Sequence, residues 1–107
     1  MIARMWTGRI QADVAEDYRK YVEETGITTQ RQTPGNLASM IFTREDGDES
    51  EIMVLSLWSD WDAVRSFAGE RPEVAIYFPR DAQYLLELTP EVLHWEVPVA
   101  EGAVPSL

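Results

Sequence analysis

The sequence contains one histidine, His94, in the stretch "LTPEVLHWEVP". An imidazole is the side chain whose ordinary pKa lies nearest neutrality, so His94 is suited to moving a proton in a reaction. Other residues decide whether it is placed to do so. Arg4 and Trp6 stand two apart near the N-terminus, as do His94 and Glu96 near the other end. In a strand that spacing puts both members of a pair on one face. Arg4 is a permanent cation able to hold a developing anion. Tyr77, in "AIYFP", brings a phenol beside a break at Pro79. Trp58 closes an apolar run just before a helix start, and with Trp6 it offers two indoles that can stack on a flat aromatic molecule. The competing reading is structural: an internal Arg4–Glu96 ion pair, His94 hydrogen-bonded in the core, and both indoles as core packing, because buried charges are normally paired.

Other chemistries are poorly supported. The chain has no cysteine, which rules out disulfides, thiol nucleophiles and thiolate metal sites. A lone histidine without cysteine argues against a catalytic zinc site. Neither a glycine-rich phosphate loop nor a G-x-S-x-G elbow occurs. Asp46, Asp48, Glu49 and Glu51 cluster around a turn but lack the spacing of a known calcium loop, and read as a solvated hairpin tip. Nine basic against nineteen acidic residues leave a net charge of −10, the wrong sign for nucleic acid or an anionic membrane surface. No apolar run approaches the ~18–20 residues of a membrane span, and "MIARMWTGRI", interrupted by Arg4 and Arg9, is no signal peptide. The expected location is the cytoplasm.

The elements that must position these side chains follow from periodicity. Ile2 to Arg9 reads as the first strand. Val14, Tyr18, Tyr21 and Val22 follow an i, i+4, i+7, i+8 pattern, an amphipathic helix that Gly26 is expected to stop. "ITTQRQTPGN" has no clear period and closes on a turn signal at Pro34-Gly35-Asn36. Leu37 to Arg44 and Glu51 to Trp58 form a hairpin. Ser59 is the expected N-cap of a second helix, with Trp61, Val64, Phe67 and Ala68 as its buried stripe and Gly69 as its stop. Pro72 is expected to open a short helix ended by Pro79, with another short segment over Tyr84 to Leu88. Val92 to Val97 is the fourth strand.

Strand, helix, strand, strand, helix, strand is a split β-α-β arrangement, an α+β class with four mostly antiparallel strands. One domain over residues 1–98 and a tail over 99–107 without an evident partner account for the 107 residues. Strand parity yields two side-chain sets, one with Ile2, Arg4, Trp6, Ile52, Val54, Trp58 and His94, the other with Met5, Met53, Leu55, Leu57, Leu93 and Trp95. Two helices cover one sheet face only, yet both sets are largely apolar. The second face therefore calls for another copy of the chain, a homodimer.

"MIARMWTGRI" with its following helix, the turn "TPGN", "VLSLWSDWDAVRSFAGE" and "YFPRDAQYLLELTPEVLHWEV" together resemble the antibiotic biosynthesis monooxygenase family, over about residues 1–98. The resemblance implies a ferredoxin-like monomer whose sheet pairs with a twin's in a dimeric α+β barrel, with a ligand cleft between sheet and helices. It also implies that strands 1 and 4 are neighbours, which would bring Arg4 and Trp6 beside His94 and Glu96. Members include cofactor-free oxygenases of aromatic polyketides, quinol-type monooxygenases and haem-degrading oxygenases. The position of the haem branch's iron-binding histidine falls on Tyr77, and that of its first-strand asparagine on Gly8. Both signature residues are absent, which argues against haem degradation.

The function this implies is oxidation of a flat phenolic or quinol-type molecule by O2 without a tightly bound cofactor and without a metal. His94 would be the proton acceptor, Arg4 and Tyr77 would stabilise the anion and oxygen species, and Trp6 and Trp58 would form the substrate slot. The alternatives are a cyclase or isomerase using the same cleft, and a non-catalytic small-molecule-binding dimer module.

Overall fold

The computed structural model describes residues 1–103. Strand β1 (Ile2–Gln11) leads through a 3-10 turn (Ala12–Val14) into α1 (Ala15–Val22), a π-helical turn (Glu23–Ile27) and α2 (Thr28–Gln32). Strands β2 (Asn36–Asp46) and β3 (Glu49–Trp58) form the hairpin, followed by α3 (Trp61–Ala68), the short α4 (Asp81–Tyr84) and β4 (Leu93–Glu96). The sheet order is β2-β3-β1-β4, with β1 antiparallel to both β3 and β4. That order is ferredoxin-like, and it makes the first and last strands neighbours as expected.

Parity decides which face is packed. Along β3 the even positions Ile52, Val54, Ser56 and Trp58 are buried, whereas Met53 and Leu55 between them are only partly covered. The even face meets two apolar clusters. Ile10, Ile52, Val54 and Leu85 pack on Tyr18 and Val22 of α1, while Ile2 and Trp58 pack on Ala63 and Val64 of α3. On the other face Met40, Phe42, Leu93 and Trp95 are exposed.

Several boundaries differ from expectation. Gly26 does not stop the first helix, since its backbone lacks the positive φ of a left-handed cap, and the helix runs on to Gln32. The π turn inserts an extra residue there. It rotates everything downstream out of the 3.6-residue phase, so "ITTQRQ" shows no continuing pattern. The chain leaves the helix at Thr33, which is extended, and turns at Gly35 with φ 90°. The second helix is capped by Asp60, whose carboxylate accepts from the Ala63 N–H, and not by Ser59, whereas Gly69 (φ 87°) does end it. The segment after Pro72 is no helix: Val74 bridges Glu91, and the one helical turn in this region is α4. β4 is shorter than Val92–Val97. Of the tail expected over 99–107, residues 99–103 follow the last strand without joining the sheet, and residues 104–107 fall outside the described residues. At the acidic hairpin tip Arg9 meets Asp46 at 2.7 Å and Glu49 at 2.8 Å.

Candidate active site

Strand register sets one polar row across the helix-covered face. Ser39 of β2 lies opposite Ser56 of β3, Ser56 opposite Arg4 of β1, and Arg4 opposite His94 of β4. Glu96 lies opposite Ile2 and is exposed. The expected Arg4–Glu96 pair is therefore not formed, because the register sets the two residues one row apart.

Arg4 is 3% exposed. Its Nη1 donates to the Pro72 carbonyl at 2.5 Å and to His94 Nε2 at 3.1 Å, and its Nη2 donates to the Val74 carbonyl at 3.3 Å. The guanidinium carbon stands 5.6 Å from the centre of the Phe67 ring. No carboxylate of the described residues pairs with it, and burial pulls its pKa well below the ordinary arginine value, to about 10. It stays charged at neutral pH. A guanidinium carries five N–H donors and no acceptor, so donors remain for a ligand.

His94 is placed to serve Arg4. Since Arg4 can only donate, His94 Nε2 accepts, and the ring proton sits on Nδ1. The ring also packs against Trp61, with centroids 5.1 Å apart. Burial first, and the Arg4 charge second, lower its pKa from 6.5 to about 4, with Glu73 opposing. The imidazole is neutral at working pH, and its free lone pair is already engaged. It is not on the cavity lining, which corrects the expectation that it faces the cleft.

Trp6 and Tyr77 do line the cavity together. The Trp6 Nε1–H donates to the Tyr77 hydroxyl at 3.2 Å, and that hydroxyl donates to the Thr89 carbonyl at 2.5 Å, with the rings edge to face at 6.2 Å. The phenol's one proton is thus committed. Beneath the indole lies Gly8, where an added Cβ would come within 2.8 Å of both Trp6 and Leu85. The first-strand asparagine of the haem branch has no room here, since the indole fills its space.

Trp58 is not part of a slot. It is fully buried, donates to Ser56 Oγ at 2.9 Å and stacks on Phe67 at 5.6 Å. Phe67, read as core from its helical spacing, is the ring that reaches the lining in its place.

The helical wall contributes residues that no sequence pattern marked. Asp81 is 5% exposed; its carboxylate accepts from the Tyr18 hydroxyl at 2.9 Å and from the Phe78 N–H at 2.6 Å. Burial and the Asp81 charge push the Tyr18 phenol well above its ordinary pKa, so it remains a donor. Thr25 and Gly26 of the π turn and Gln30 of α2 complete this wall. Asp81 lies in α4, outside the segment expected over Tyr84 to Leu88, and the period break concealed Gln30.

The resulting cavity, between sheet and helices, has a cation on its floor and one carboxylate on its wall. It is tight, with a volume of about 50 Å3, room for a few waters. The lining holds no histidine, cysteine or methionine, and its Tyr77 phenol is engaged on both sides. These residues do not fit a haem. Among the described residues no group of three His, Cys, Asp or Glu side chains is arranged to hold a metal ion, and no helix is long and apolar enough to cross a membrane.

No protein-family profile and no curated protein sequence matches the chain. Solved structures do. A candidate antibiotic biosynthesis monooxygenase from Bacillus cereus aligns with a TM-score of 0.66 at 10% identity, over 95% of this chain and 97% of that one. A MhuD variant with two manganese protoporphyrin IX groups bound per active site gives 0.65 at 16% identity, over 96% and 100%. A NIPSNAP domain protein from Burkholderia xenovorans gives 0.61 at 20% identity, over 99% and 100%. Likeness at these identities is likeness of fold, and a fold does not select an activity. The chain is α+β with a four-stranded antiparallel sheet, and its fold is the ferredoxin-like one of antibiotic biosynthesis monooxygenase proteins.

Proposed function

We propose that this cavity binds a flat phenolic or quinol-type molecule as its anion and that the protein oxidises it with O2, without a tightly bound cofactor. The observation that carries this reading is Arg4: a buried guanidinium on an otherwise largely apolar lining, with no carboxylate partner among the described residues. A buried charge held only by carbonyls and a neutral ring is unusual, and an anionic ligand would complete it. Such a cation lowers the pKa of a bound phenol. In this reading Asp81, the carboxylate on the lining, accepts the released proton, the role expected of His94. His94 instead positions Arg4. An electron-rich anion can reduce oxygen itself: a quinol gives up two electrons and two protons to become the quinone while O2 becomes hydrogen peroxide, and for an anthrone-type carbon one oxygen atom remains as the new carbonyl and the other leaves as water.

A second reading, a binding module without turnover, is favoured by the committed Tyr77 hydroxyl and by the position of His94 away from the lining. An oxygen electrode with an anthrone and quinol panel separates the possibilities. Oxygen uptake matched to substrate loss supports the oxygenase. Conversion under nitrogen points to a cyclase or isomerase, and binding without conversion to the module. In Arg4→Met, loss of charge-assisted bonds worth about 1.5–3 kcal/mol should weaken binding of the anion by roughly 10- to 150-fold. Unchanged anion affinity in that variant would remove the basis of the proposal.

The same reading includes a homodimer through the outer sheet face, where Leu93 (55% exposed) and Trp95 (56%) on β4 are linked across the sheet, through Met5 and Leu55, to the exposed Met40 and Phe42 on β2. An apolar patch of this kind on a single chain marks an interaction surface.

A further inference from the structure

One polar atom at the cavity has no hydrogen-bond partner among the described residues. Gln30 is 5% exposed, lines the cavity, and its Oε1 is buried without a hydrogen bond. Its neighbours on the lining are satisfied: Asp81 accepts from Tyr18 and from the Phe78 N–H, Ser56 accepts from Trp58, and Tyr77 both accepts and donates. A buried oxygen left without a donor opposes folding, and each such group in a native protein calls for an explanation. A position that only needed filling would be served by leucine or methionine at similar volume. The π turn before α2 sets the phase that buries Gln30, a feature frequent at functional sites.

We propose that Gln30 is a specificity-determining residue whose Oε1 accepts a hydrogen bond from a hydroxyl of the ligand. Arg4 reaches the cavity from the sheet and Gln30 from the helical layer, so the ligand bridges the two. It then carries two oxygens: one held as the anion by Arg4, the other a neutral hydroxyl presented to Gln30. That describes a dihydroxy aromatic of the quinol class and not a simple phenol. The inference rests on the reading of the cavity as a phenol site and narrows it. A ligand that fills this space without offering the second hydroxyl leaves Oε1 unanswered, at a cost in affinity of roughly 10- to 100-fold.

The test is calorimetric titration under nitrogen with three probes: hydroquinone, phenol and 4-methoxyphenol. The last two are smaller and larger than hydroquinone, and neither has a second hydroxyl. The native chain should bind hydroquinone roughly 10- to 100-fold more tightly than either. In Gln30→Met the preference should collapse while affinity for 4-methoxyphenol persists. The thermal midpoint should not fall, because no bond within the protein is lost. In the native chain the Gln30 side-chain amide resonances should shift with hydroquinone and stay in place with 4-methoxyphenol, a measurement that holds whether or not the variant folds. Equal affinity for all three probes, or an unmoved Gln30 amide, overturns the assignment of Gln30 and leaves the phenol site standing. If no probe binds, the phenol site itself is refuted, and this inference with it.

Discussion

Acidifying the protein from pH 7 to pH 4 should remove a part of its stability that runs through His94. The native imidazole is held at about 4, by burial first and the Arg4 charge second, against an ordinary 6.5. Between those values the unfolded chain binds a proton that the folded chain refuses, so stability falls as pH falls. The contribution is whole above about pH 6.5 and gone near pH 4. The gap of 6.5 − 4 = 2.5 pH units corresponds to about 3 kcal/mol at 1.36 kcal/mol per unit. Part of the ring is open to water, which screens the charge, so about 1–2 kcal/mol is the better expectation. Carboxylates also titrate toward the bottom of this range, so the assay must be a difference. Urea denaturation of the native chain and of His94→Gln, from pH 7 to pH 4, supplies it: glutamine can still accept from Arg4 but cannot take the proton. The native chain should lose about 1–2 kcal/mol more than the variant. As the chain has one histidine, its ring-proton NMR titration is unambiguous as well. A midpoint near 6.5, or parallel losses in the two proteins, would show that His94 is neither desolvated nor held by Arg4.

Three further outcomes follow from particular contacts. Tyr77→Phe strips Trp6 of its acceptor and Thr89 of its donor, and should cost about 1–3 kcal/mol in denaturant unfolding; a variant that loses activity at unchanged stability would instead mark the hydroxyl as free for chemistry. Gly8→Ala places a Cβ within 2.8 Å of Trp6 and Leu85, and overpacking should destabilise the fold by about 1–3 kcal/mol; an unchanged melting temperature would show that the indole can move aside. Sedimentation should find the native chain dimeric at micromolar concentration, with an interface on the order of 2,000 Å2 in total, and Trp95→Glu monomeric; a monomeric native chain rules out the covered outer face.

Much of the architecture was legible locally. Strand alternation, the helix period before the π turn, the hairpin and the Gly69 stop depend on a few neighbouring residues each, and they led to the α+β class, the strand sequence and the fold that the solved structures share. Parity also put Arg4, Trp6 and His94 on one face, because the side-chain direction along a strand is a property of the strand alone. What reached beyond the neighbourhood was not legible. The π turn left no periodic trace, so the first helix was cut short and Gln30 passed unnoticed. Trp58 and Phe67 exchanged roles because depth below a surface is set by the elements that pack above it. Tertiary structure decided the site itself. Strand register placed His94, and not Glu96, opposite Arg4, and the carbonyls of Pro72 and Val74, far along the chain, took the place of a carboxylate. The Arg4 guanidinium, expected to pair with Glu96, is thereby buried without a carboxylate among the described residues, because pairing depends on which groups the whole fold brings within a few ångströms.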